Sequence, residues 1–223
     1  LTAAESTTQQ YALRDPDVRL MLQVRDDNAA AFEELMRRYQ SRIMTVLQHM
    51  VGERGQAEDL AQDVFLRVYR ARKNYAPKAK FSTWLFTITN NVASNALRSL
   101  SRRREVHVAP AGSGALAANP LDEMAQAASG WMPARRADKA ERAEVVRQAM
   151  QSLNDRQRMA VLLSKFEGMS YADIAETMEL TPQAIKSLLS RARENLRVVL
   201  EPYLSEGTRP PDGGQPSQVQ DNT

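Results

Sequence analysis

The chain has 223 residues, enough for one large or two small domains, and its Ala, Leu, Arg and Glu content with few glycines and aromatics favours an all-helical protein. With no cysteine, disulfides, thiol catalysis and Cys-type zinc sites are excluded, and His49 and His107 stand too far apart in sequence to suggest another metal centre. A formal net charge of +3 is modest, so local arginine clusters say more than the total.

No apolar run is long enough to span a bilayer and no signal pattern opens the sequence, which with the absence of cysteine suits a cytoplasmic protein. Residues 1–14 are polar and read as a tail. Asp15-Pro16 fits an N-cap followed by proline at the first helical position, predicting a short helix through Arg25 with Val18, Met21 and Leu22 inward. Asp27-Asn28 opens the next helix, whose stripe is Phe32, Leu35, Met36, Tyr39, Ile43, Val46, Leu47 and Met50, with Gly52 as the stop. Arg37, Arg38 and Arg42 read as its solvated outer face.

The stretch from Glu58 to Arg104 holds two further helices around a loop. In the first, Ala57, Leu60, Ala61, Val64, Val68 and Ala71 share one face, and Asp59, Gln62, Asp63 and Leu66 lie opposite. A leucine inside an acidic stripe has two readings: an apolar anchor in a binding face, or a stray residue on a solvated one. The loop from Asn74 to Lys80 contains Pro77, which bars helix continuity, and Lys73, Lys78 and Lys80 make it basic enough for phosphates. The second helix buries Phe81, Leu85, Ile88, Val92, Ala96 and Leu100. Across from these lie Thr87, Asn91, Ser94, Asn95 and Arg98, followed by Arg102, Arg103 and Arg104. Asparagine is a poor helix former, and such conflicts with propensity often mark functional positions; Asn and Ser can bond base edges and the arginines phosphates. Trp84 and Phe86 either stack on unpaired bases or belong to the core.

Residues 105–139 read as an interdomain linker with a brief helix at Leu121–Ala128 and a conspicuous Trp131-Met132 that packs on a domain or anchors a partner. Beyond it, Ala143, Val146, Ala149, Met150 and Leu153 form a stripe, and Asn154 with Gln157 forms a capping box before Met159, Ala160, Leu162, Leu163 and Phe166. Gly168 stops that helix, Ser170 with Asp173 opens a short one, and Thr181-Pro182 caps and starts the last. Its apolar arc is Ile185, Leu188, Leu189, Ala192, Leu196 and Val199. Thr181, Gln183, Lys186, Ser187, Ser190, Arg191, Arg193 and Arg197 lie at its start and around the rest, the pattern of a helix-turn-helix whose second helix enters a major groove. Lys186 and Arg191 are placed for bases or phosphates, Arg193 and Arg197 for backbone. The tail after Leu204 is polar, with Pro210-Pro211 and Gly213-Gly214.

DLAQDVFLRVYRA followed by KFSTWLFTITNNVASNALR resembles the second domain of extracytoplasmic-function (ECF) sigma factors, group IV of the sigma-70 family, and the closing helix-turn-helix resembles their fourth domain. The likeness covers residues 19–104 and 140–200. It implies two small helical domains, a three/four-helix bundle over 15–104 and a helix-turn-helix unit over 140–204, joined by a flexible linker at 105–139 that threads near the polymerase active-site channel, with tails at 1–14 and 205–223. It further implies that Asp59, Gln62, Asp63 and Leu66 dock on the clamp helices of bacterial core RNA polymerase, with the flap as a second polymerase contact. Lys78, Lys80, Trp84, Asn91, Asn95, Arg98, Arg102 and Arg103 would hold the melted minus-ten element, the loop taking a flipped-out base. The last helix would bind the minus-thirty-five element, and an anti-sigma factor is an expected partner. No catalytic carboxylate pair or phosphate-binding loop appears, since GERG at 52–55 lacks the Gly-Lys-Ser/Thr ending, so no enzyme activity and no cofactor are expected. Two rivals remain at this point: a helix-turn-helix regulator acting without polymerase, and a purely protein-binding helical module.

Overall fold

The computed structural model describes residue 11, residues 14–106 and residues 144–206, and among these the regular structure is helical. Helix α1 (Pro16–Arg25) begins where its cap predicts: the Asp15 carboxylate accepts the Asp17 N–H at 2.9 Å, and Pro16 occupies a position that needs no donor. Asn28 caps α2 (Ala29–Val51) by accepting from Ala31 at 3.1 Å, and Gly52 ends it with φ +84°, a left-handed turn that glycine adopts without strain. Helix α3 (Arg54–Ala71) starts three residues before its apolar stripe and runs into a single 3-10 turn, Arg72–Asn74. Helix α4 (Phe81–Val106) carries the asparagines and the arginine cluster on one continuous rod.

The core of this bundle is built from Val18, Met21 and Val24 of α1, Leu35, Tyr39, Ile43, Val46 and Leu47 of α2, Ala57, Val64 and Val68 of α3, and Phe81, Leu85, Phe86 and Val92 of α4, all buried. Phe86 is wholly inside, so of its two readings the core is correct; a ring shielded on every side has no face for a base. Tyr11, in the stretch read as tail, is half-buried against the same core, and its carbonyl accepts the Asp15 N–H at 2.8 Å. Asp17 ties α1 to α2, taking the Tyr39 hydroxyl and an Arg38 N–H, each at 2.6 Å. Asp15 does the same for α4: its second carboxylate oxygen accepts the Phe81 N–H at 2.9 Å. One side chain therefore caps two helices, the second starting 66 residues beyond Asp15 itself.

The second unit comprises a helical stretch at residues 144–151, α5 (Asp155–Lys165), α6 (Tyr171–Met178) and α7 (Pro182–Glu206). Both expected capping boxes form, with Asn154 and Gln157, and Ser170 and Asp173, exchanging bonds between side chain and backbone. One sequence reading shifts here. Val145, not Val146, faces inward, and Val146 is 45% exposed; adjacent valines differ by about 100° on a helix, and only the neighbouring helices decide which is covered. The apolar Phe166 is also 45% exposed and packs beside the His49 ring of α2 at 5.6 Å.

The two units touch. Buried side chains of both belong to one contiguous core, with α6 lying on α4 and α5 on α2. The guanidinium of Arg158 on α5 donates to the carbonyls of Met150 at 3.0 Å, Gln151 at 3.3 Å and Leu153 at 2.9 Å, and across the seam to Met50 of α2 at 3.3 Å. It thus satisfies carbonyls at the ends of two helices, where the helix dipole favours a cation. Arg42, read as a solvated residue, instead reaches Glu167 through two N–H groups while lying 4.6 Å over the Tyr39 ring. The sequence predicted linker at 105–139, including Leu121–Ala128, Trp131 and Met132, lies almost wholly outside the described residues, as do most of both tails.

Two outcomes follow from this packing. Asp15→Ala should cost about 2 kcal/mol, since it uncaps α1 and orphans the buried-side Phe81 donor; a denaturant midpoint shifted at constant slope checks it. Burial, reinforced by Arg147 and Arg158, holds the His49 imidazole below its ordinary value. The unfolded chain therefore binds the proton more readily, and the stability from neutral His49 is present above pH ~6.5 and lost as pH falls below it. Burial pushes Glu167 upward despite Arg42, an effect of opposite sign, so the check is a comparison: His49→Gln should lose less stability than the native chain between neutral pH and pH ~5.5.

Candidate docking and nucleic-acid surfaces

Three surfaces carry the residues singled out in the sequence. On α3 the buried face is Ala57, Ala61, Val64, Phe65 and Val68, leaving Asp59, Gln62, Asp63 and Leu66 outward. Leu66 is 53% exposed. It stands at the rim of an open groove of about 830 Å³ between α2 and α3, with Phe32, Met36, Met44, Phe65 and Tyr69 along its walls. Asp63 pairs with Arg67 one turn on, at 2.9 Å. Such an exposed pair contributes little to stability and is readily exchanged for a partner's charge. The groove was not foreseen: Phe32 and Met36 read as ordinary core positions, yet both are only half-buried because, among the described residues, no further helix closes that side. Tyr69 packs on Phe32 at 5.2 Å with the Arg72 guanidinium 3.8 Å over its ring, which fixes one end of the groove.

The second surface starts at the loop after the 3-10 turn. Tyr75 is buried and meets Trp84 at 4.8 Å edge-on, while Phe81 lies 5.9 Å from Trp84 and 5.3 Å from Tyr39. This aromatic cluster roots the loop on the bundle, a role for Tyr75 that nothing in the loop's sequence marked. Trp84 is half-buried in that cluster, so part of its ring is committed to packing. Lys73 is exposed but already engaged, donating to the Arg25 carbonyl at 2.9 Å and pairing with Asp27, so it holds the loop's base to the end of α1 rather than offering a free charge to a phosphate. Lys78 is exposed. Lys80 is exposed but paired with Asp173 of α6 at 2.9 Å. Burial alone would raise the Asp173 carboxyl, but its bonds to Lys80 and Ser170 outweigh that and hold it below the ordinary range. Further along α4, Asn91 and Asn95 are exposed one turn apart, and Arg98 donates to the Asn95 side chain at 2.7 Å and to the Ser94 carbonyl at 3.2 Å. Arg102 is exposed on the following turn, its guanidinium 3.4 Å from the Arg98 carbonyl. Arg103 continues the same helix, with its side chain outside the described residues.

The third surface is α7. Glu179, with φ +55°, and Leu180 turn the chain from α6, and the Thr181 hydroxyl accepts the Ala184 N–H at 3.2 Å, which assigns Thr181 a capping task. Ile185, Leu189 and Ala192 are buried against α5 and α6. Gln183, Lys186, Ser190 and Arg191 are exposed on the first turns, while Ser187 is half-buried and donates back to the Gln183 carbonyl at 3.1 Å. Arg193 lies against its own helix, 3.3 Å from the Leu189 carbonyl, and Arg197 pairs with Glu194 at 2.7 Å and Glu201 at 3.1 Å. A short helix, a tight turn and a longer helix with a polar, basic leading end make the helix-turn-helix geometry.

Comparison with known proteins agrees with both units in order. The family model for Sigma-70 region 2 matches residues 35–103, and that for Sigma-70, region 4 matches residues 143–196. The RNA polymerase sigma-H factor of Pseudomonas aeruginosa is 32% identical over 200 residues, covering 86% of this chain and 98% of its own. RNA polymerase sigma factor CarQ of Myxococcus xanthus is 36% identical over 180 residues, 81% of this chain and 95% of its own. The ECF RNA polymerase sigma-E factor of Escherichia coli is 28% identical over 190 residues, 84% and 96% respectively. Among solved structures, CnrH in complex with the cytosolic domain of CnrY has the same fold, with a TM-score of 0.60 at 21% identity over 84% of this chain and 98% of that one. The sigma factor RpoE in complex with the anti-sigma factor NepR from Bartonella quintana gives 0.56 at 22% identity, over 76% and 96%.

What the helices and the matches define is a two-part, DNA-binding transcription initiation factor. The chain belongs to the ECF sigma factors of the sigma-70 family: it binds core RNA polymerase and directs it to promoters. Among the described residues no helix is long and apolar enough to cross a membrane.

Proposed function

We propose that the three surfaces divide the work of initiation. The α2–α3 groove, lined in part by Gln62 and Leu66, receives the polymerase clamp helices together with Asp59 and Asp63 on the outward face of the same helix. Lys78, Lys80, Trp84, Asn91, Asn95, Arg98, Arg102 and Arg103 hold the melted minus-ten strand, and α7 reads the minus-thirty-five element from Gln183, Lys186, Ser190 and Arg191, with Ser187, Arg193, Arg197 and the Thr181 cap in support. The first unit, residues 15–104, and the second, residues 140–204, act as domains around a linker at 105–139, and the polymerase flap holds the second. The protein is not itself an enzyme, works in the cytoplasm, and is held in check by an anti-sigma factor, a reading supported by the similarly folded RpoE solved with the anti-sigma factor NepR.

The observation that carries this reading is a leucine more than half exposed at the mouth of an apolar groove, on a helix whose other face is fully buried. Exposed apolar anchors ringed by charge are the usual centres of protein interfaces. The basic leading end of α7, exposed and clear of its own packing face, carries the duplex contact in the same way.

Asp63→Ala with Leu66→Ala should weaken core-polymerase affinity about thirtyfold, the ~2 kcal/mol of a single interface hot spot, and leave the melting curve within about 0.5 kcal/mol of native. Native affinity in the double variant, read by fluorescence titration with core enzyme, would count against the assigned face. Lys186→Ala and Arg191→Ala should each weaken promoter binding; a base contact costs about 1–3 kcal/mol and alters sequence preference, a phosphate contact lowers affinity evenly and reduces the salt slope by about one. Run-off transcription on a promoter library separates the two.

A further inference from the structure

Sulfur is unevenly placed in this molecule. The chain has no cysteine and 10 methionines. Among the described residues, Met21, Met50, Met150, Met159 and Met169 are buried. Met36, Met44 and Met178 are half-buried, and the first two stand on one wall of the open α2–α3 groove. Phe32, Met36, Gln40 and Met44 recur every four residues, a single ridge along the uncovered side of α2. A thioether there suits docking, because it is apolar and adapts to a partner's shape. In a chain without thiols it is also the group that a peroxide attacks first, and packing shields the buried methionines from the same attack.

Oxygen added to these sulfurs has different consequences in the free and the docked chain. In the free chain a sulfoxide oxygen stays in water or accepts from the exposed Gln40 and Ser41 side chains, which line the same wall. The core behind the ridge keeps its packing. Once a partner covers the groove, the same oxygen is shut away from water against apolar side chains. An unpaired polar group in such a place costs free energy. The modification therefore weighs on the complex rather than on the fold.

We propose that Met36 and Met44 form a reversible oxidation site through which hydrogen peroxide switches off docking to core polymerase. The sulfur lone pair attacks one peroxide oxygen, and an S–O bond forms as the O–O bond breaks. Hydroxide leaves with the O–O electron pair and takes the proton from the sulfur-bound oxygen, so each peroxide yields one sulfoxide and one water. Sulfur is oxidised by two electrons and the peroxide is reduced by the same two. A dithiol reductant reverses the step, removing the oxygen as water while it closes to a disulfide. This rests on the reading of the groove as the polymerase-docking surface.

The full-length protein is treated with hydrogen peroxide, desalted, mapped by peptide mass spectrometry and titrated with core enzyme by fluorescence. Met36 and Met44 should gain oxygen while Met21, Met50, Met150 and Met159 do not. Affinity should fall about tenfold and return after methionine sulfoxide reductases with dithiothreitol, the helical circular dichroism staying native throughout. Each variant is compared with itself before and after peroxide. Met36→Leu with Met44→Leu should show no change. Met124→Leu with Met132→Leu and Met178→Leu should show the full loss. Equal loss without Met36 and Met44, loss of helical signal in step with affinity, or no oxygen at the two positions overturns the switch. An affinity that the reductases do not restore overturns its reversibility. Sulfoxides at both positions with affinity unchanged also overturn it, and Asp63→Ala with Leu66→Ala then locates the fault. Native affinity in that variant condemns the docking assignment; weakened affinity condemns the switch alone.

Discussion

Helix α2 must bury itself on several sides at once, and the rest of the molecule is arranged around how that is done. Its stripe is too wide for one neighbour, so α1, α3 and α4 share it, and α5 of the second unit covers its carboxyl-terminal end. What remains uncovered, the strip from Phe32 to Met44, becomes the wall of the α3 groove. The apolar face that builds the bundle and the apolar surface offered outside are thus one continuous stripe, divided only by where the neighbouring helices stop. Leu66 needs no special backbone to be exposed; it lies past the edge of what α2 can cover.

The same economy governs the polar contacts. Asp15 and Asp17, two residues apart, tether α1 to α4 and α2 respectively. The short first helix, which buries few side chains of its own, is thereby fixed where it closes the bundle. Lys73 and Arg72 bind Asp27 and hold the loop that follows. The loop presents Lys78 and Lys80 from a rooted base, with Tyr75, Phe81 and Trp84 packed beneath it, so any strand captured there meets a preformed surface.

Helix starts were legible in the sequence because cap chemistry is local: Asp15-Pro16, Asn28, Asn154 with Gln157, Ser170 with Asp173 and Thr181-Pro182 each act over two or three residues. The exposed Leu66 and the polar leading face of α7 were legible from helical period for the same reason. Contacts across the seam were not. Arg42 meets a residue 125 positions away and Lys80 one 93 positions away, and no pattern within a helix distinguishes a cation with such a partner from one in water. The choice between Val145 and Val146, and the burial of Phe86 beside the partly open Trp84, were settled by neighbours of the same kind.

Arg158 draws all four of its cross-links from main-chain carbonyls, at Met50, Met150, Gln151 and Leu153. The bonds are therefore indifferent to which side chains those four positions carry, since every amino acid supplies the same acceptor. Core packing holds Met50, Met150 and Leu153 to apolar side chains, but the joint itself constrains only the arginine, and a search for co-varying residue pairs would pass over it.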